Sequence, residues 1–247
     1  MAVGTLAIGL TFIAGTFLTG IYFATFSTER TIAEVAAEEA FAKMQIFGLD
    51  LESEKLKTTE CVDYDELATL AAKEWWYPSS SRETAKQYSW AAICRRMSGS
   101  NDLVQCTVFL SREAGGASSY WRRSTSAGSW DLQVTDRPRP VRIQIVQNSS
   151  APSDEVVVQD AVTSDKIDEY TFVSDGSILV DDATGDMYRV LERSPEQLGT
   201  VKLNRDWEGG DLTLSEGGWV WVVPPAVSGG RNPGVAVYQK IIRFPGR

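Results

Sequence analysis

The sequence of 247 residues contains no histidine and only three cysteines. Without histidine the chain has no Ser-His-Asp or Cys-His catalytic arrangement, no histidine-ligated zinc and no usual general base at neutral pH. Three thiols also exclude a four-cysteine metal site. Carboxylate or lysine chemistry stays open, but most common catalytic routes are closed. We therefore expect that the protein is not an enzyme and holds no cofactor.

Basic residues are scarce relative to acidic ones, with 24 Lys and Arg against 33 Asp and Glu and a net charge of -9. Nucleic acid is excluded as a partner on this ground, because its phosphates call for a basic surface. Adhesion to acidic membrane surfaces is disfavoured for the same reason. Such a charge mostly keeps a secreted surface soluble.

Charge is missing altogether from the start of the chain, where the first acid is Glu29 and the first base is Arg30. The apolar run over residues 1–26 is long enough to cross a membrane, which needs ~20 mostly apolar residues. On a helical wheel it sorts into a bulky stripe and a small-residue stripe, a pattern typical of helices that pack on other helices. The bulky stripe contains Leu6, Leu10, Ile13, Phe17 and Ile21, and the small one Thr5, Gly9, Thr16 and Gly20.

The apolar run differs from a secretory signal, since no basic residue precedes it and no clear small-residue cleavage site follows it. Two arrangements fit. Either the chain is a mature form whose basic leader was removed in front of Met1, or it begins with an uncleaved membrane anchor.

Strong helix formers continue beyond the apolar run, so one helix is predicted over residues 2–56 with a length of ~80 Å. Gly48 is a weak point in it. A helix this long extends beyond a bilayer, and its second half must pack on a soluble domain. The predicted packing face contains Ile32, Val35, Ala42, Ile46 and Leu49.

The middle of the chain predicts a short helix and a hairpin. Asp63 with Glu66 is a capping-box-like start for a helix over residues 64–75. Alternating residues over 88–96 and 103–110 surround a turn and predict the clearest hairpin. This register places Cys94 opposite Cys106 as a candidate disulfide, and the alternative is a bond from Cys61.

The second half predicts only short strands. They cover residues 141–146, 170–173, 178–180, 187–191, 200–203, 219–223 and 235–244, with a linker or broad loop at 148–154. We therefore predict an α+β protein with a long N-terminal α-helix packed on a small antiparallel β-sheet head and an additional C-terminal all-β domain. The predicted divisions are 1–57 for the helix (apolar to 26, amphipathic stalk over 27–57), 58–150 for the head and 151–247 for the β-domain.

Three further patterns are weaker. Asp181, Asp182 and Asp186 form an acidic turn that is a weak calcium candidate, although its spacing matches no EF-hand. Asn148 begins an N-glycosylation sequon. Trp219 and Trp221 alternate on one strand face, which favours burial between strands or between subunits.

The apolar helix that opens at Met1 and continues as an amphipathic stalk, with the hairpin after it, resembles the type IV pilin and pseudopilin superfamily. The resemblance covers residues 1–56 and, less strongly, 88–110. It implies removal of a leader by a prepilin peptidase, with Met1 as the processed residue. It also implies an inner-membrane location before assembly and an extracellular filament built by the pilus machinery, with the subunit's own copies as partners and the apolar helices in the core.

The chain departs from this family at position five, where pilins usually carry a glutamate and this chain has Thr5. Some minor, tip-type members lack that acid as well, so a minor pseudopilin of a type II secretion system is an alternative. Gly15 and Gly20 lie where pilin helices can melt on assembly. From another class, a single-pass membrane-anchored surface binding protein also fits the residues.

Overall fold

A computed structural model describes residues 2–57, 60–79, 88–113, 118–123, 132–147, 152–160, 167–209, 212, 217–230 and 232–244, with backbone alone for residues 2–8. The fold is α+β. It contains one long helix and several antiparallel sheets, one of which closes into a six-stranded barrel.

Helix α1 covers Ala2–Phe47 and ends nine residues earlier than the sequence predicts. Gly48 adopts a positive φ of 71° and donates its N–H to the carbonyl of Met44 at 2.9 Å, which closes the last turn. The Gly48 carbonyl in turn accepts a hydrogen bond from the Tyr64 hydroxyl at 2.8 Å. Gly48 is therefore the C-terminal cap of the helix, and the prediction of a helix to residue 56 is wrong.

The head sheet contains five antiparallel strands. They are β1 (Val62–Asp63), β2 (Trp76–Tyr77), β3 (Tyr88–Arg96), β4 (Leu103–Arg112) and β13 (Gly234–Arg243). Strand β4 lies between β3 and β13, while the two-residue strands β1 and β2 both pair with β3. The predicted hairpin is confirmed as β3 and β4, and its register pairs Cys94 with Cys106.

The second half of α1 packs on one face of this sheet through small residues. The buried helix positions are Ala33, Ala36, Ala37, Ala40, Phe41, Lys43 and Met44. Alanine lets the helix backbone come close to the sheet, where Trp90, Val108 and Leu110 fill the same core cluster. The predicted packing face is wrong at Val35, Ala42 and Ile46, since Val35 and Ile46 are 52% and 78% exposed and Ala42 is exposed as well. Leu49 does pack against this core, beyond the end of the helix.

The predicted helix over residues 64–75 is also wrong. Two short 3-10 turns, Tyr64–Glu66 and Ala72–Trp75, stand there instead. The Asp63 side chain does cap the first turn by accepting from the Asp65 N–H at 3.0 Å. Burial of Tyr64 and Trp75 against Trp90 outweighs the helix propensity of the segment between them.

Six further strands form a closed barrel. They are β7 (Val141–Val146), β8 (Glu155–Gln159), β9 (Ile178–Asp181), β10 (Met187–Arg193), β11 (Thr200–Leu203) and β12 (Gly218–Val222). Their order around the barrel is β10-β11-β8-β7-β12-β9. Alternate side chains fill the interior, as Val141, Ile143 and Ile145 of β7 do. Closure removes the exposed edges that an open sheet of short strands would have.

The barrel is inserted into the head rather than appended after it. Strand β7 belongs to the barrel although it precedes residue 150, and β13 returns to pair with β4 over its whole length. The predicted boundary at residue 150 is therefore wrong. Residues 170–172 of the strand predicted over 170–173 lie in the 3-10 turn Glu169–Phe172, and Val173 follows that turn. Strand β8 is not among the predicted elements. A separate ribbon pairs β5 (Tyr120–Arg123) with β6 (Leu132–Thr135).

Candidate functional site

The first half of α1 presents a long apolar surface that the head does not cover. All the side chains from Gly9 to Thr28 are exposed, including Leu10, Phe12, Ile13, Phe17, Leu18, Ile21, Tyr22 and Phe23. Within the described residues, the segment Gly9–Phe47 is the one helix long and apolar enough to cross a membrane. A contiguous apolar surface of this extent needs lipid or protein to cover it.

Five threonine hydroxyls in the first two thirds of α1 are satisfied inside the helix. The hydroxyls of Thr16, Thr19, Thr25, Thr28 and Thr31 each donate to a carbonyl one turn earlier, at 2.8–3.1 Å. A hydroxyl without a partner is costly in an apolar environment, so this pattern suits a helix that leaves water.

The two stripes predicted from the sequence are exposed where the structure describes their side chains. Ile13, Phe17 and Ile21 of the bulky stripe border a shallow groove with Thr16 and Gly20 of the small stripe. Ala24 lies at the end of the same groove, which is open to the surroundings. Gly9 and Gly15 have open space where a Cβ would lie. Met1 and the side chains of Thr5 and Leu6 lie outside the described residues.

The outward face of α1 stays mostly apolar well beyond the apolar run. At 100° per residue, Val35, Ala42 and Ile46 point within about 20° of the direction of Phe17. The buried alanines point to the opposite side. Between Phe17 and Val35 the outward face contains Ala24, Thr28 and Thr31, all of which are exposed. Glu39, about 40° from the direction of Phe17, is a charged residue on this face, and its carboxylate pairs with Lys43 at 3.0 Å.

The first charged residues of α1 are already engaged. The Glu29 carboxylate meets Arg112 of β4 at 2.8 Å, and the Arg30 guanidinium lies 4.7 Å from the centre of the Phe26 ring. Further along, Lys240 of β13 pairs with Glu38 at 3.1 Å. These contacts fix the rotation of α1 on the head, so its outward face has a defined direction.

Lys43 anchors the helix from its buried side. Its ammonium donates to the Glu74 carbonyl at 2.7 Å and pairs with the carboxylates of Glu39 at 3.0 Å and Glu74 at 3.4 Å. The Trp90 indole N–H donates to the same Glu74 carbonyl at 2.8 Å. Nothing in the sequence around Lys43 indicates this role, because it depends on where residue 74 folds.

We expect Lys43→Met to lower the free energy of unfolding by about 2 kcal/mol, because the Glu39 and Glu74 carboxylates lose their shared cation. Methionine keeps the apolar stem of the side chain. Urea unfolding in detergent measures the change. Lys57→Met is the matched control, since Lys57 pairs with the exposed Glu54 at the surface, and its midpoint should equal that of the wild type.

The other face of the head sheet carries the barrel. The interface between the head sheet and the barrel, here called the barrel seam, is filled by a buried cluster. It contains Cys61, Ile93, Phe109, Val180, Trp221 and Val223. Arg95 donates to the carbonyls of Ala183 and Thr184 at 2.8 and 2.6 Å, and Gln239 donates to that of Gly185 at 2.8 Å. Gly185 has a positive φ of 76°, a backbone conformation that favours glycine in this turn.

Asp182 is the polar centre of the seam. Its carboxylate accepts from the Trp221 indole at 2.6 Å and the Cys61 N–H at 3.2 Å, and it pairs with Arg142 at 2.5 Å. Burial raises the pKa of Asp182 to about 6, and the Arg142 charge opposes that rise. The predicted burial of Trp221 is confirmed, whereas Trp219 is half-buried beneath Arg142, at 4.8 Å.

The segment that precedes β7 is bound to the head by a second group of charged contacts, made by Arg137 and Arg139. The Arg137 guanidinium donates to Asp65 at 2.9 Å and to the Trp90 carbonyl at 2.9 Å, and it stacks on Trp75 at 4.1 Å. Arg139 pairs with Asp65 as well. Burial raises the pKa of Asp63 beside them to about 6, with the Asp65 charge adding to the effect.

The three cysteines lie on two faces of the head sheet. Cys94 and Cys106 are fully buried in the core under α1, with their sulfurs 3.7 Å apart and unbonded in this structure. Cys61 belongs to the barrel seam, where its sulfur lies 3.9 Å from the Asp181 carbonyl. The predicted juxtaposition of Cys94 and Cys106 is confirmed, and the bond itself stays a prediction.

The acidic turn makes protein contacts at the positions suggested for calcium. Asp181 accepts from the N–H and hydroxyl of Thr184 at 2.8 and 2.7 Å, and Asp186 faces Arg205 at 3.7 Å. Among the residues that the structure describes, no three His, Cys, Asp or Glu side chains are grouped as metal ligands. Calcium stays a prediction that these contacts do not support. The sequon at Asn148 lies outside the described residues.

The chain matches no protein-family model, no curated protein and no solved structure in the comparisons.

Proposed function

We propose that this chain is a structural subunit of an extracellular type IV pilus-like filament, which polymerises through its apolar N-terminal helix. The observation that carries the proposal is the long, mostly apolar outward face of α1, from Leu10 to Ile46, on which the Glu39 carboxylate is paired with Lys43. Its length is ~54 Å at 1.5 Å per residue. A bilayer offers ~30 Å of hydrocarbon, so membrane alone leaves a third or more of this face uncovered.

The uncovered part is apolar where a simple anchor would be polar. Val35 and Ile46 are 52% and 78% exposed on the side opposite the head. Their direction continues that of Phe17 and Ile21, so a neighbouring helix could cover the whole face at once. Copies of the same helix supply a surface of that length and chemistry, with the bulky side chains of one filling the groove at Gly20 of another.

The arrangement of layers supports the same function. Helix α1 lies on one face of the head sheet and the barrel on the other. A bundle of helices in the filament core would therefore place the barrels on the outer wall. Before assembly the same helix would lie in the inner membrane, where the prepilin peptidase and the assembly machinery act on it. No chemical step is required of the subunit.

The proposal predicts that Ile46→Glu, alone or with Val35→Glu, abolishes filaments without unfolding the subunit. Each change places a charge on the outward face beyond the reach of a bilayer, where a buried carboxylate would cost several kcal/mol per subunit. Electron microscopy of sheared cell-surface material measures the loss. Urea unfolding of the subunit in detergent should be unchanged, because both side chains are exposed in the monomer.

Leu198→Glu is the matched control, since Leu198 is 73% exposed but lies on the barrel hairpin. Filaments should persist in this variant. Unaffected filaments in Ile46→Glu would contradict the proposal.

Removal of residues 1–26 should leave a soluble, monomeric head, because the buried positions of α1 begin at Ala33. A truncated head that still polymerises would contradict the proposal as well.

Two alternatives rest on observations of their own. Tyr22, Phe23 and Phe26 with Arg30 form an aromatic and basic cluster at the end of the apolar run, as at a membrane interface, which favours a single-pass anchored binding protein. Thr5 in place of an acid favours a minor pseudopilin of a type II secretion system. Long filaments of this subunit in sheared material would count against both, and their absence would favour them.

A further inference from the structure

Two thiols face each other in the core of the head. The register of β3 and β4 pairs Cys94 directly with Cys106. Directly opposed residues of antiparallel strands have Cα atoms ~4.5–5.5 Å apart, which is within the span that a disulfide bridges. The sulfurs are 3.7 Å apart, so a rotation of the side chains suffices to join them.

The third thiol is held away from this pair. Alternate side chains of β3 point to opposite faces, and Cys94 shares the helix-facing core with Trp90 and Ala92. Cys61 belongs to the barrel-facing cluster with Ile93 and Phe109. The backbone of the sheet therefore separates Cys61 from the pair, which removes the alternative bond considered from the sequence.

The facing thiols are sealed in the folded head. Cys94 and Cys106 have no exposed surface, and they share their core with Ala36 and Ala40 of α1 and with Tyr64. Burial, together with the neighbouring Cys106, raises the pKa of Cys94 well above its usual range, so the native thiol is a poor nucleophile. An external oxidant reaches these sulfurs only when the helix-facing core is open.

We infer that Cys94 and Cys106 are oxidised to a disulfide during folding, before α1 closes over the hairpin, and that Cys61 remains a thiol. The oxidant is a disulfide of the thiol-exchange class. One cysteine thiolate attacks a sulfur of that disulfide and releases the first thiol. The second cysteine then displaces the other thiol, so two cysteines lose two protons and two electrons and the oxidant becomes two thiols.

The presence of such an oxidant rests on the proposed location outside the cytoplasm. The bond would join the two strands on which the stalk is mounted. Once α1 has closed, it would be as inaccessible to reductants as the thiols are to oxidants. Oxidation and docking of α1 would thus occur in a fixed order.

The test uses the full chain, unfolded and reduced in urea and then refolded into detergent micelles with oxidised glutathione. The product is unfolded again, alkylated with N-ethylmaleimide and digested for mass spectrometry. We expect one linked peptide pair, Cys94–Cys106, and one alkylated cysteine, Cys61. Three alkylated cysteines, or any bond that includes Cys61, would overturn the inference.

The order of events is tested by adding oxidised glutathione to chain that was refolded in the reduced state. Bond formation should be slower by about two orders of magnitude than during refolding, since it requires opening of the core. Equal rates would overturn the proposed order. Cys61→Ser should form the same bridge, whereas Cys94→Ser should form none. All these measurements use unassembled subunits, so a failure here is distinguishable from a failure to form filaments.

Discussion

Replacing Arg142 with methionine should lower the free energy of unfolding by about 3–5 kcal/mol at neutral pH, because it leaves the Asp182 carboxylate buried without a counter-ion. Arg142 lies 2.5 Å from that carboxylate. Trp221 and Cys61 still donate hydrogen bonds to it, but they carry no charge. Typical domains have only 5–15 kcal/mol of stability, so the loss should be plain in a urea unfolding curve.

The cost of this change should depend on pH, with the larger loss on the alkaline side. The wild-type pKa of Asp182 is about 6 in the folded state, above the ordinary value of 3.8 that the unfolded chain is expected to have. Between these values the folded state binds more protons, so the contribution of this group to stability falls as the pH rises. Without Arg142 the folded pKa rises further. The difference between variant and wild type should therefore be greater at pH 8 than at pH 5.

The matched control is Arg142→Met combined with Asp182→Asn. The amide keeps an oxygen for the Trp221 and Cys61 donors and removes the charge. The double variant should therefore regain most of the lost free energy of unfolding, and its difference from the wild type should no longer vary with pH through a buried charge at residue 182. A loss that is equal at pH 5 and pH 8 would contradict the buried-charge explanation. So would a double variant that is no more stable than Arg142→Met alone.

Local patterns predicted the parts of the fold that depend on local interactions. The uncharged run and the helix formers behind it indicate the long helix, and alternation around a polar turn predicts β3 and β4 to within two residues. The register followed from the turn, which is why Cys94 and Cys106 were placed correctly. Hairpin pairing is decided by neighbours in sequence, so the sequence carries the information directly.

The parts that failed depend on partners distant in sequence. Nothing local in β13 indicates that it pairs with β4, more than 120 residues earlier, rather than with its neighbours in the barrel. The choice of the buried face of α1 failed for a related reason. The helix has two mostly apolar faces, and the bulkier one was assigned to the head, although the close approach to the sheet is made by alanines.

That failure bears on the candidate site. Val35 and Ile46 look like core positions when the stalk is considered alone, and only the packed head shows that they point away from it. The exposed apolar residues of the first half and those of the stalk then form one continuous surface. The seam around Asp182 was beyond sequence reasoning as well, since its members come from residues 61, 142, 182 and 221.

A filament subunit of the proposed kind must transmit load from its helix to its head, and the contacts of α1 suit that role. Lys43 and Trp90 converge on the Glu74 carbonyl from the helix and the sheet. The Arg112–Glu29 pair ties β4 to the same helix, and the Lys240–Glu38 pair ties β13 to it. Pulling on the helix would therefore load three strands at once rather than one.

Trp90→Ala tests the attachment of α1 to the head sheet and should lower the free energy of unfolding by about 3–5 kcal/mol. Trp90 is almost fully buried and contacts the rings of Trp75 at 4.6 Å and Tyr64 at 6.1 Å, measured between ring centres. Its removal empties the centre of the core that the alanine face of α1 closes. Amide hydrogen exchange over residues 33–47 should accelerate more than exchange in the barrel strands, because the barrel has its own core.

Trp90→Phe separates packing from hydrogen bonding. Phenylalanine keeps an aromatic ring but removes the indole N–H, and Lys43 still donates to the Glu74 carbonyl. We expect a smaller loss of about 1–2 kcal/mol and slower exchange in α1 than in Trp90→Ala. If both variants lose equal stability, the hydrogen bond from the Trp90 indole to Glu74, rather than the packing of the ring, stabilises the attachment of α1 to the head. If exchange in residues 33–47 is unchanged in Trp90→Ala, the helix is held by its charged contacts instead, and the load would pass through Lys43, Glu29 and Glu38.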